Sequence, residues 1–143
     1  MRRLFIIRKD LNMSKGKLSA MIAHCSEAYF TNMIKHSQQI EEYDGEVKVI
    51  MCINKDILDN YINKDFTKII CEAKNLNHLL KVKEVANDLN LIEGIDYGFI
   101  NDACLTELIP ENEDGTCTIG VWFKPLPDKE SHLLSKKYQL YKN

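Results

Sequence analysis

The chain alternates between two apolar periods, and each switch marks an element. Leu4 to Arg8 (LFIIR) is a short apolar run that reads as a strand. Ser14 to about His36 then carries Leu18, Ile22, Cys25, Tyr29 and Met33 at i, i+3/i+4 spacing. That is the stripe of an amphipathic helix, with Ser14 as its N-cap. Residues 37–46 (SQQIEEYDGE) form a polar connection with Gly45 near its end. Val47 to Ile53 alternates loosely and predicts a strand or hairpin arm, followed by a short helix from Asn54 or Lys55 to about Ile62. Thr67 to Cys71 reads as a buried strand. Asn75 to about Asn90 is a clear helix through Leu76, Leu79, Val82, Val85, Ala86 and Leu89. Glu93-Gly94 supplies a turn into a strand at Tyr97 to Ile100, and a loop follows from Asn101 to Asp114. Thr116 to Phe123 is β-branched and aromatic, and Pro125 and Pro127 end it. Asp128 is placed to cap a last short helix, Lys129 to Ser135, before the tail KKYQLYKN.

Strands alternating with helices predict an α/β layer with a mixed sheet of four to five strands. At 143 residues the chain is expected to be one domain, with residues 38 to 65 as an acidic segment set apart from the rest. No apolar run approaches the ~20 residues that span a membrane, and the apolar start is too short for a signal-peptide core. The five cysteines are odd in number and scattered, which argues against a disulfide framework or a zinc site and for a reducing, cytoplasmic setting. No Gly-rich phosphate loop is present, so no nucleotide cofactor is expected, and no metal.

Net charge is −2, but it is unevenly spread: residues 1–35 carry +5, residues 36–65 carry −4 and residues 66–143 carry −3. The basic segment contains an oddity. The helix begins Ser14-Lys15-Gly16-Lys17, although a cation at a helix N-terminus costs roughly 0.3–1 kcal/mol. Lysines beside free backbone N–H groups make an anion site, and phosphate is the usual anion. At 100° per residue, Lys17, Met21 and His24 share one flank of the helix, so an imidazole faces the same region.

These residues carry a resemblance. RKDLNMSKGKLSAMIAHCS is similar to the opening of the type-two peptidyl-tRNA hydrolases, R-x-D-L-x-M-x-x-G-K-x-A-A-Q-x-x-H-A, through Arg8, Asp10, Leu11, Met13, Gly16, Lys17, Ala20 and His24. INDACLTEL resembles the family segment I-x-D-A-G-x-T-x-I through Asp102, Ala103 and Thr106, and TIGV at 118–121 resembles its last strand. The resemblance implies a four-stranded sheet with helices on both faces, a homodimer, and hydrolysis of the ester between a peptidyl group and the terminal ribose of tRNA, in the cytoplasm. It also implies site roles. Asp102 orients or deprotonates water, Thr106 bonds substrate or water, Lys17 contacts phosphate or the oxyanion, and His24 shares the acid–base work, since imidazole titrates near neutrality. Arg8, Lys9, Lys15, Met21, Thr116 and Cys117 are the expected contacts to tRNA or substrate.

The departures are specific. Met21 replaces the Gln of the pattern, Cys104 the Gly after Asp-Ala, and Leu105 the Arg that often follows; Trp122-Phe123 stand where the family has Gly-Pro. The family's Thr opening the last strand falls at Thr116 or Cys117. Two other readings therefore stand beside the hydrolase: a catalytically impaired RNA- or protein-binding module of the same fold, and an esterase acting on another acylated RNA.

Overall fold

A computed structural model describes residues 1–143. Its main sheet has five strands in the order β5-β6-β1-β4-β7. These are β1 (Arg3–Arg8), β4 (Lys68–Ala73), β5 (Tyr97–Asp102), β6 (Cys117–Phe123) and β7 (Gln139–Leu140). β4 runs parallel to β1, whereas β6 runs antiparallel to both β1 and β5, and β7 antiparallel to β4. The sheet is thus mixed. The two-residue β7 forms in the polar tail, where periodicity has too few positions to register; pairing with Cys71 and Glu72 creates it.

β1 is central, and its alternate side chains feed two cores. Leu4 and Ile6 pack with Leu79, Val82, Val121, Phe123 and Leu134 on one face. Phe5 and Ile7 pack with Met21, Cys25, Tyr29, Ile119 and Trp122 on the other. The first face is covered by α3 (Leu76–Leu80), α4 (Val82–Asp88) and α5 (Asp128–Ser135), the second by α1 (Lys15–Lys35). The helix predicted over 75–90 is therefore two helices meeting at Lys81; Asn75 caps the first by accepting from the His78 N–H at 2.8 Å. Asp128 is not a cap. It lies inside α5, and its carboxylate takes the N-terminal ammonium at 3.1 Å and Arg2 at 3.0 Å.

Residues 38–65 depart most from the expected outline. The polar connection is half a hairpin: β2 (Gln38–Glu41) pairs antiparallel with β3 (Val47–Ile50), and all eight residues are exposed. Cross-strand pairing, rather than apolar pattern, makes the strand. A short helix, α2 (Lys55–Ile57), then continues as a π-helical turn over Leu58–Ile62 and buries Ile57 and Tyr61.

Arg3 is fully buried without a carboxylate partner. It donates to the carbonyls of Phe123 (3.0 Å), Cys25 (3.0 Å) and Ser26 (2.5 Å), and its guanidinium lies 4.8 Å from the centre of the Phe5 ring. Burial lowers its pKa to about 10. It fastens the backbone of α1 to that of β6.

Candidate active site

α1 starts where the spacing predicts. Ser14 is its N-cap, and the Ser14 hydroxyl accepts from the Lys17 N–H at 3.2 Å. The basic first turn acquires its anions from the end of β5 and the loop after it. Lys17 Nζ donates to Asp102 Oδ1 at 2.6 Å, with both side chains largely buried. Glu107 bonds the Ser14 N–H at 2.9 Å and the Ser14 hydroxyl at 2.7 Å. A carboxylate therefore occupies the helix N-terminus, where its charge meets the positive end of the dipole. These bonds to Ser14 hold the Glu107 carboxyl below its usual pKa. Glu107 was not singled out from the sequence. The unsatisfied charge of Lys15-Gly16-Lys17 signals a missing acid, but not which one.

Asp102 is the last residue of β5, not part of the loop, so the sheet fixes its backbone. Its second oxygen, Oδ2, accepts from the Cys104 N–H at 2.9 Å, an Asx turn. That turn holds Cys104 at φ +59°, the left-handed region. This gives a physical reason for the Gly in the resembling motif: a left-handed L-residue costs roughly 1–2 kcal/mol. Burial pushes the Asp102 pKa up, but the Lys17 hydrogen bond, the Cys104 N–H, the Lys17 charge and the His24 charge outweigh it, so the carboxyl lies below its ordinary value. His24 is exposed on the same flank of α1 and makes no hydrogen bond. It borders a recess lined also by Glu27, Thr31, Lys35, Ile100 and Trp122.

The other expected site residues divide. Thr106 is exposed in the loop and holds no hydrogen bond, so it faces solvent without a fixed partner. Lys15 is exposed and makes no ion pair. Thr116 is committed to its own turn, donating to Asp114 Oδ1 at 2.6 Å. Met21 and Cys117 are core side chains, 4% and 0% exposed, and do not reach a ligand. For Met21 the helix register is the reason. α1 buries Met21, Cys25 and Tyr29, while Leu18, Ile22 and Met33 are only partly covered.

Arg8 also differs from its expected role. It is 4% exposed, and its donors are spent: Nε and Nη2 on Asp10 (3.1 and 2.8 Å), Nη1 and Nη2 on Glu111 (2.9 and 3.1 Å), and Nη1 on the Thr118 carbonyl (3.0 Å). Bidentate pairing of this kind fixes geometry. Arg8 holds the 103–116 loop against β1 and β6 instead of meeting phosphate. Lys9 bonds the Lys142 carbonyl and stacks over Tyr141 at 4.3 Å, which ties down the tail. The +5 of residues 1–35 is thus largely spent inside the molecule. No three His, Cys, Asp or Glu side chains cluster to hold a metal ion.

The model of the family described as Peptidyl-tRNA hydrolase PTH2 matches residues 1–141. A peptidyl-tRNA hydrolase of Thermoplasma acidophilum is 26% identical over 137 residues, covering 94% of this chain and 92% of its own. One from Sulfolobus acidocaldarius is 28% identical over 110 residues, covering 77% and 78%. A solved structure, described as a protein of unknown function from Agrobacterium tumefaciens, aligns over 99% of this chain and 97% of that one with a TM-score of 0.53 and 8% identity, a likeness of fold alone. The family match spans both the Lys17–His24 helix and the Asp102 strand, the two stretches that the fold brings together: this chain belongs to the peptidyl-tRNA hydrolase PTH2 family.

Proposed function

We infer that the chain hydrolyses the ester bond of peptidyl-tRNA, releasing free peptide and tRNA. The observation that carries this reading is the Lys17–Asp102 pair between the start of α1 and the end of β5, inside a family match that runs over nearly the whole chain. Ester hydrolysis needs a placed water, a proton acceptor, and donors for the oxyanion. Asp102 is rigidly held and ionised, so its free lone pairs orient the water. A carboxylate of lowered pKa is a weak base, so orientation is its main contribution and His24 completes the proton transfer, taking the proton from water as its oxygen bonds the ester carbon and giving it to the departing ribose oxygen as the ester C–O bond breaks. Lys17 has donors left after its bond to Asp102, and these stabilise the oxyanion. Thr106 orders on the substrate. The decisive assay is release of an N-acylated amino acid from tRNA, with Asp102→Ala as control. Release by wild type and loss in the variant are expected. No release from folded protein favours the binding-module reading, and equal release by the variant removes Asp102 from the reaction.

The tRNA itself is held through phosphates by Lys15, the unpaired cation at the start of α1. Lys15→Ala is expected to raise KM with little change in kcat and to flatten the log–log salt dependence of binding by about one unit. Titrating affinity against salt for both proteins measures it. A cytoplasmic setting is supported by five free cysteines. A homodimer is supported by the hairpin, which leaves Tyr43, Val47, Ile50 and Met51 exposed.

A further inference from the structure

We propose that the peptidyl part of the substrate binds as an added β-strand, parallel to β5, in the groove between the open edge of β5 and α1. This deepens the hydrolase reading and rests on it.

β5 is an edge strand: β6 pairs with one side, and no strand pairs with the other. The Asp96 carbonyl accepts from the Lys124 N–H, which points the backbone groups of Asp96 toward the β6 side. Alternation then turns those of Gly98 toward β6 and those of Tyr97 and Phe99 outward. The Tyr97 carbonyl is taken by the Gly94 N–H at 2.7 Å, which confirms the phase and closes that end. Phe99 is left with its N–H and carbonyl facing the groove. From Phe99 to Asp102 the bare edge spans four residues, about 13 Å at ~3.3 Å each.

α1 forms the second wall and runs antiparallel to β5. Lys17 meets Asp102 at one end, and Asn32 Nδ2 bonds the Gly94 carbonyl at 2.7 Å at the other. Between them lies an open recess bordered by His24, Thr31, Ile100 and Trp122. Its floor carries an uncommitted donor. Trp122 is 5% exposed, and its indole N–H makes no hydrogen bond. The ring lies flat on Gly98, where a Cβ would come within 2.9 Å of the indole nitrogen.

The groove ends at the reaction site, and that sets the occupant and its direction. An ester carbonyl placed at Asp102 puts the C-terminal residue of the peptide there. The preceding residues run back toward Gly98, so the peptide is parallel to β5. Phe99 then bonds two peptide backbone groups, and a third can take the indole N–H. Recognition of this kind reads main chain and not side chains, which suits an enzyme whose substrates end in any sequence.

The test is a series of N-acetylated peptidyl-tRNAs with one to six alanines. Expected is a rise in kcat/KM of roughly two- to tenfold per added hydrogen-bonded residue up to three or four, then a plateau. N-methylation of the backbone amide that meets Phe99 is expected to abolish that gain. Thr31→Trp, which fills the groove from an exposed helix position, is expected to flatten the series. Wild-type activity independent of length, or insensitive to N-methylation, overturns the groove and leaves the hydrolase intact. No cleavage of any member overturns both.

Discussion

Asp102→Asn is expected to lower kcat for release of N-acyl amino acids from tRNA by roughly 10²–10⁴-fold, with KM little changed and the fold intact. Asn keeps the size of the side chain and retains an oxygen for the Cys104 N–H, so the turn at the end of β5 survives. What is lost is the charge. Lys17, 14% exposed, then has no counter-ion, and the water loses its strongest acceptor. Single-turnover kinetics together with circular dichroism separate this outcome from unfolding. A variant with wild-type kcat would exclude a catalytic role for the carboxylate.

The pH dependence follows from the same pair. Because the folded Asp102 pKa is depressed, no acid limb from this group is expected in kcat/KM between about pH 5 and 8. For stability the sign is also defined. A depressed pKa means that Asp102 stabilises the fold above its unfolded value of ~3.9, and that this contribution is lost as pH falls through the folded value. Wild type and Asp102→Asn should therefore differ in melting temperature at pH 7 and converge toward pH 2. Thermal unfolding at the two pH values checks it.

Gly120→Ala is expected to be the most damaging small substitution, at about 3 kcal/mol, or a fall of roughly 10 °C in melting temperature. Gly120 lies opposite Ile7 where β6 pairs with β1. An added Cβ would come 2.5 Å from the Ile6 carbonyl oxygen and 2.7 Å from Ile7 Cδ1. The first is a backbone atom in the central strand and cannot swing aside, so the two strands must part. Calorimetry on the variant measures the loss; a melting temperature within 2–3 °C of wild type would contradict the close approach.

This glycine also shows how motif and fold relate. TIGV reads as a β-branched strand, but its glycine is needed because β1 crosses so near. Arg8 and Asp10, two residues apart, look like surface charges. In the fold they form one side of a cluster around the buried Arg8 guanidinium, completed by Glu111, 103 residues from Arg8. Met21 fell on the flank of an ideal helical wheel, yet the packed helix buries it. A stripe shared by several apolar residues does not say which of them meets the sheet.

What the sequence determined by itself was local. Five of the seven strands and the long first helix follow from apolar period, the Ser14 cap and Pro or Gly stops, because those signals act over a few residues. The tertiary structure decided the partners: Lys17 with Asp102 across 85 residues, Ser14 with Glu107 across 93, and the open edge of β5. Such pairings depend on which strand lies beside which, and side-chain period carries no record of strand order.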